Sequence, residues 1–213
     1  MTSMRQAIIL GAGGQCRVVI SLLNKRNDHK ILGIIDLVNP SSGECIMNLP
    51  VLGSVDRLEE YKVNPNIDIY LAIGDNKLRS VWWQKLRKYG MKMPNLISPY
   101  AIVDDNSIMG EANIICAKAF VGPEAIIGNN NLINTGAVIE HEVQLGNNCH
   151  LAPLSIVAGR SQVGDDCFIG ASATVIDGIK VKNSTIIGAG ATLIYNINEP
   201  GGTYIGTPAK RKK

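Results

Sequence analysis

No uninterrupted apolar run in this chain approaches the roughly 18 residues that cross a bilayer, although 46% of its residues are hydrophobic. Nor is there an excess of one charge. Lys and Arg number 21 against 18 Asp and Glu, and the resulting +3 is too mild to argue for a nucleic-acid partner. The five cysteines, Cys16, Cys45, Cys116, Cys149 and Cys167, lack CxxC or CxxH spacing, which excludes the usual zinc frameworks. They read as small buried residues without disulfides, and with no signal-type cleavage region the expected location is the cytoplasm, with no membrane insertion. His29, His141 and His150 are too few and wrongly spaced for a metal shell, so no metal is expected. His29 itself lies in a polar helix-to-strand connection and reads as surface.

What the chain does have is a period. From Val103 to Leu193 every sixth residue is a branched aliphatic or Met, running Val103, Met109, Ile115, Val121 and onward without a miss. Two residues before most of these sits something small, such as Ala119, Ala137 or Ser155. One residue later Gly recurs, at Gly110, Gly122, Gly128, Gly146, Gly164, Gly170 and Gly188. A period of six fits neither a helix nor an alternating strand, so the chain must turn a corner once per repeat. Three repeats make a triangular coil, with the aliphatic pointing inward and Gly or Asn at the corner where positive φ is wanted. The expectation is a parallel β-helix of about five coils over residues 98–213, entered at Ser98-Pro99.

Residues 1–97 read as a separate α/β domain with a small Rossmann-like parallel sheet. QAIIL forms a buried strand, CRVVISLLNKR a helix, and Ile31 to Ile35 a second strand ending at Asp36. A polar stretch, NPSSGE, precedes a short helix at VDRLEEY. DIYLAI is a third strand that enters Gly74-Asp75-Asn76, and SVWWQKLRKYG a further helix. Gly11, Gly13 and Gly14, followed by Gln15, stand at the first strand-to-helix junction, where backbone N–H groups and the helix dipole suit a phosphate. The last position of the G-x-G-x-x-G fingerprint is Cys16, so a plain tight turn is the competing reading. Asp36, at the end of the next strand, favours a nucleotide.

Glu140-His141-Glu142 follows the inward Ile139 and falls at a corner on the outer surface. His suits a general base at neutral pH, and Glu142 suits the carboxylate that orients it. A solvent-exposed ion cluster is the alternative.

Together GAGGQ, IIDL, LAIGDNKLR, INTGAVIEHE and IGTPAKR resemble the sialic acid O-acetyltransferase-type family, which includes the nucleotide-amino-sugar N-acetyltransferases of bacillosamine and perosamine biosynthesis. The likeness covers essentially the whole chain in order. It implies a left-handed β-helix, an exception to the usual right-handed crossover, and a homotrimer using acetyl-CoA. By resemblance the first domain holds the nucleotide of an amino sugar through Gly11, Gly13, Gly14, Gln15, Asp36 and Gly74, while Asn134 lines the sugar site. By resemblance too, His141 is the base, Glu142 its orienter, and His150, Gly159, Ala171 and Ala189 contact acetyl-CoA. The Gly159 N–H is further expected as an oxyanion donor. His150 lies half a coil from His141, so the two are not expected to stack. The family loop usually reads GxGGH, and here Gln15 replaces the His. The implied reaction is N-acetylation of a nucleotide-linked 4-amino-4,6-dideoxyhexose for surface glycan. O-acetylation of a sialic acid-type sugar and a noncatalytic nucleotide-binding scaffold are the alternatives, and the nucleotide carrier stays open.

Overall fold

The computed structural model describes residues 4–41, 43–62 and 64–212. The chain divides into two compact units between Ser98 and Pro99. The first contains β1 (Arg5–Leu10), α1 (Gly14–Arg26), β2 (His29–Asp36), β3 (Cys45–Ile46), β4 (Leu49–Ser54), a 3-10 helix (Val55–Tyr61), β5 (Ile67–Leu71) and α2 (Asn76–Lys88). Sheet order is β3-β4-β2-β1-β5, parallel except for the β3–β4 hairpin. Central β1 is apolar without alternation, and Ala7, Ile8, Ile9 and Leu10 are fully buried, as a parallel strand covered on both faces requires. The helix α1 buries Cys16, Val19, Ile20, Leu22 and Leu23, then stops at Asn27 in the left-handed region (φ 54°).

Two expectations for this unit are corrected. Between NPSSGE and the short helix the chain adds the hairpin β3–β4, whose turn residues Met47 and Asn48 both take positive φ (49° and 64°). Nothing in Met-Asn announces such a turn as Asn-Gly does. Cys45, on that edge hairpin, is exposed, whereas the other four cysteines are buried. His29 is also no surface residue: its side chain is only 4% exposed. Because β2 begins at His29, opposite Arg5, the imidazole turns inward. It meets Asp28 Oδ1 at 2.7 Å, Asp68 Oδ2 at 2.9 Å and the Tyr70 hydroxyl at 3.2 Å, while Arg5 donates to both oxygens of Asp68. Burial alone would raise the Asp68 carboxyl, but the hydrogen bonds from Arg5 and His29 outweigh it and hold the group below its ordinary range.

The second unit is a left-handed parallel β-helix of two-residue strands. Its three faces run from Ile102–Val103 to Thr192–Leu193, from Ile108–Met109 to Lys180–Val181, and from Ile114–Ile115 to Ile186–Ile187. The last face is closed by Thr203–Ile205 and an antiparallel strand Lys210–Arg211. Among the hexapeptide strands from Ile102 to Leu193 pairing is to the residue eighteen further on, as in Phe120 with Val138, Ile126 with Gln144 and Leu132 with His150. The inward aliphatics from Ile115 to Leu193 are at most 3% exposed, while Val103 and Met109 in the first coil are half-buried.

The corners differ from expectation. From Met109 onward positive φ falls on the third residue after the inward aliphatic, at Ala112, Lys118, Glu124 and every sixth position to Gly190, and only Gly136, Gly178 and Gly190 there are glycines and only Asn130 and Asn148 asparagines. The recurrent Gly after the aliphatic serves close approach instead. A Cβ on Gly128 would lie 2.6 Å from the Gly146 carbonyl oxygen of the next coil. Asn side chains tie adjacent coils at the neighbouring column, Asn129 Nδ2 to Asn147 Oδ1 and Asn147 Nδ2 to Asp165 Oδ1, each at 2.9 Å. Among the described residues no helix is long and apolar enough to cross a membrane.

A depressed carboxyl contributes stability above its unfolded pKa and loses it as pH falls through the folded one. Asp68→Asn is therefore expected to destabilise the protein at pH 7 by on the order of 2 kcal/mol. The deficit should close as pH falls below about 4, the unfolded carboxyl value. Urea titrations across pH check this, and a deficit independent of pH would contradict it.

Candidate active site

Because the register places each residue beneath the one eighteen further on, a functional corner is a stack. His141 is followed in its column by Gly159 and Asp177, and Glu142 by Arg160 and Gly178. Glu142 takes the left-handed conformation (φ 59°), held by its N–H to the Pro123 carbonyl at 3.0 Å. Its Oε2 lies 2.9 Å from His141 Nδ1, and both side chains are about half exposed, 46% for His141 and 50% for Glu142. A carboxylate only accepts, so this contact makes Nδ1 the protonated nitrogen and leaves the lone pair on Nε2.

The ring has a seat. A Cβ built on Gly159 would fall 2.4 Å from His141 Nε2 and 2.5 Å from Cε1, so the imidazole fills the space that any side chain at 159 would need. Around that turn Ala158, Arg160 and Ser161 donate backbone hydrogen bonds, whereas the Gly159 N–H makes none among the described residues. A free backbone donor beside an imidazole is an arrangement that can receive an oxyanion.

A second group gathers at the adjoining corner, across the face carrying Val138 and Ile156. Asn134 Oδ1 accepts the Thr135 N–H at 2.8 Å and its Nδ2 lies 3.5 Å from His150 Nε2. His150 meets Phe168 edge-on, with centroids 5.0 Å apart. Ala171 and Ala189 are exposed in one column of this corner, eighteen residues apart. The structure thus joins His141, Glu142 and Gly159 at one corner. Asn134 and His150 meet at the next, where Ala171 and Ala189 also lie, and His150 does not stack on His141.

In the first unit the predicted glycine loop lies where strand order turns back, with β2 on one side of β1 and β5 on the other. Gly11 takes φ 106°, and a Cβ there would stand 2.9 Å from the Ala72 carbonyl oxygen. Gly13 caps α1 without a side-chain hydrogen bond, the first turn holds no acidic residue, and the space over Gly13, Gly14 and Gly74 is open. The buried Gln15 Nε2 has no hydrogen-bond partner among the described residues. Asp36 Oδ1 accepts the N–H groups of Ala12 at 3.1 Å and Leu37 at 2.7 Å, so that oxygen fastens the loop itself.

Sequence reading passed over three residues here. Arg79 is buried beneath the β5 loop and donates to the Ile73 and Gly74 carbonyls at 3.2 and 3.3 Å. Arg160 Nη2 meets Asp177 Oδ2 at 2.6 Å directly above the His141–Glu142 pair. The signal for the latter two was the eighteen-residue spacing from Glu142 and twice that from His141.

Residues 6–86 match the family described as the PglD N-terminal domain, and residues 124–159 and 160–194 match the bacterial transferase hexapeptide repeat. PerB from Caulobacter crescentus, solved with CoA and GDP-perosamine, is 32% identical over 99% of each chain with a TM-score of 0.90. The same enzyme has been solved with one histidine changed to Asn or to Ala. The acetyltransferase domain of PglB from Neisseria gonorrhoeae is 29% identical, covering 98% of this chain and 100% of that one, with a TM-score of 0.91. WeeI from Acinetobacter baumannii, 19% identical over 97% of this chain and 99% of that one, shares the fold at a TM-score of 0.78. No curated protein sequence matches the chain significantly.

The hexapeptide prism, with a His–Glu pair on its outer corner and an α/β unit ahead of it, defines an acyltransferase. More narrowly, the chain belongs to the nucleotide-amino-sugar N-acetyltransferase family.

If Gly159 seats the ring, Gly159→Ala displaces the imidazole without disturbing the prism interior. The expected result is a kcat lowered about 10²-fold, the scale of a lost general base, with little change in melting temperature. Steady-state kinetics with calorimetry check it, and a normal kcat would remove Gly159 from the site.

Proposed function

We propose that the protein transfers the acetyl group of acetyl-CoA to the 4-amino group of a nucleotide-linked 4-amino-4,6-dideoxyhexose for surface-glycan synthesis. The observation that carries this reading is the His141–Glu142 pair seated on Gly159. Its support is the full-length likeness to an enzyme solved with CoA and GDP-perosamine. The glycine loop of the first unit, with the uncapped N-terminus of α1 and the Gln15 amide, takes the nucleotide diphosphate. Asp36 has its Oδ1 committed to the loop, so it serves nucleotide binding by holding that loop as well as by direct contact. Asn134 lines the sugar, and the exposed small residues Ala171 and Ala189 leave room along their corner for the pantetheine arm of acetyl-CoA, with His150 beside them.

The amine nitrogen attacks the thioester carbonyl, forming the C–N bond as the carbonyl becomes an oxyanion. His141 Nε2 takes the ammonium proton while Glu142 keeps Nδ1–H and stabilises the imidazolium. The Gly159 N–H donates to the oxyanion, a contribution of roughly 3 kcal/mol where single donors have been removed. Collapse expels the CoA thiolate, which recovers the proton. Attack is direct, with no acyl-enzyme on a buried cysteine. Burial pushes the Cys116 thiol up to about 12 and the Cys149 thiol well above its ordinary range, so neither is a thiolate at neutral pH.

The assembly is a homotrimer. Its support is the outward column Ile102, Phe120, Val138 and Ile156 on the face next to the base, where Ile102 is 66% and Ile156 37% exposed. Such a continuous apolar column on one face suits contact with another copy of the chain.

His141→Ala is expected to lower kcat by about 10² to 10⁴ with modest changes in KM, and His141→Asn to be nearly as poor because an amide cannot take the proton. Glu142→Ala should cost less than either, since the base remains. Thiol release with a 4-amino nucleotide sugar checks the series, and near-wild-type turnover by His141→Ala would reduce the pair to surface residues. Asp36→Ala is expected to raise KM for the sugar nucleotide and spare that for acetyl-CoA, and the reverse pattern in initial-rate kinetics would exchange the roles of the two units.

A further inference from the structure

Glu142 has two candidate partners within reach of its corner, and only one holds it. Arg160 stands eighteen residues on and shares φ 59° with Glu142, so the two side chains leave the same corner in the same direction, one coil apart. That separation is roughly 4.8 Å, the spacing of paired strands. The Arg160 N–H donates to the His141 carbonyl at 2.9 Å, which locks the coils in that register. Opposite charges so stacked form an ion pair when nothing competes. Here the Arg160 guanidinium instead meets Asp177 Oδ2 at 2.6 Å, and Glu142 Oε2 meets His141 Nδ1 at 2.9 Å.

We infer that Asp177 is a positioning residue for the proposed base: by holding the Arg160 guanidinium it keeps Glu142 for His141. This rests on the reading of His141 as the base. A carboxylate binds a guanidinium more strongly than a neutral imidazole, because both partners are charged and the fork is bidentate. Without Asp177, Arg160 takes Glu142, the imidazole loses the partner that fixes its tautomer, and a positive charge settles beside the ring. The Arg160 guanidinium is already held above its ordinary range, first by the hydrogen bond to Asp177, then by the charge of Asp177, with a smaller share from Glu142. Other charged groups at the corner are Glu140, which precedes His141, and Glu124, one coil below Glu142 with the same φ. Both are present in either arrangement and do not decide between them, and Pro123 beneath His141 carries no charge.

The test compares wild type, Asp177→Ala, the double variant Asp177→Ala with Arg160→Gln, and His141→Ala in a thiol-release assay with acetyl-CoA and a 4-amino nucleotide sugar across pH. Asp177→Ala is expected to lower kcat about fivefold, the scale of one exposed ion pair. It should also move the pH limb of kcat downward, because an added positive charge disfavours the imidazolium. Adding Arg160→Gln should restore both the rate and the limb, a rescue that simple loss of structure would not give. An Asp177→Ala enzyme with wild-type rate and limb overturns the inference, as does a loss that Arg160→Gln fails to recover. Full activity in His141→Ala sinks the reading of the base itself. An intact dependence on His141 with an inert Asp177→Ala sinks only the role of Asp177.

Discussion

Backbone N–H groups of each coil bond to carbonyls of the next, Phe120 to Ala137, Val138 to Ser155, Ile156 to Ala173 and Thr174 to Ala191, all within 2.8 to 2.9 Å. That ladder admits a single register, because a slip of one residue would turn the inward aliphatics outward. With the register fixed, every position has a neighbour eighteen residues away. Gly128, Gly146 and Gly164 exist as glycines because the next coil occupies the volume a Cβ would take. Asn129, Asn147 and Asp165 share hydrogen bonds because they lie in one column. The site obeys the same rule: Gly159 leaves a gap and the His141 ring fills it. The position of the imidazole therefore comes from the stacking of the scaffold itself.

The first unit solves its positioning problem differently. Its loop is fastened by a side chain, since Asp36 bonds the Ala12 and Leu37 amides and ties the end of β2 to the turn after β1. The Arg79 guanidinium supports the turn after β5 through the Ile73 and Gly74 carbonyls. Of the two helices that follow these loops, α2 is capped by Asp75 through the Leu78 N–H, whereas α1 starts without a side-chain cap, the condition for receiving an anion. At the other end of the same strands, the half-exposed Arg5 and the buried His29 and Asp68 side chains form a polar cluster that ties β1, β2 and β5 together.

The fold was largely legible because period is a physical signal: an inward aliphatic every sixth residue leaves few options for the backbone. The corner chemistry was less so. Glycine or Asn was expected at positive φ, and Asn130 and Asn148 do take it, yet so do Glu124, Glu142 and Arg160, while most of the recurrent glycines serve close packing against the next coil. Sequence within one hexapeptide cannot separate these two demands, since the clash comes from the next coil. His29 escaped notice for a related reason, because its partners Asp68 and Tyr70 lie some forty positions away on β5. The hairpin at Cys45–Ile46 and Leu49–Ser54 has a Met-Asn turn that carries no turn signature. At the site, His141 and Glu142 announced themselves by residue type, while Arg160 and Asp177 are visible only once the coils are stacked.

The proposed reaction at this corner is acetylation of an amine on a nucleotide-linked sugar. The most direct measurement is thiol release and product mass on mixing the protein with acetyl-CoA and a panel of GDP-, UDP- and dTDP-linked 4-amino-4,6-dideoxyhexoses, with free sialic acid as the hydroxyl acceptor. The expected result is CoA release matched by one N-acetyl product from a 4-amino nucleotide sugar. Release with the hydroxyl acceptor alone, or none with any member of the panel, would contradict it.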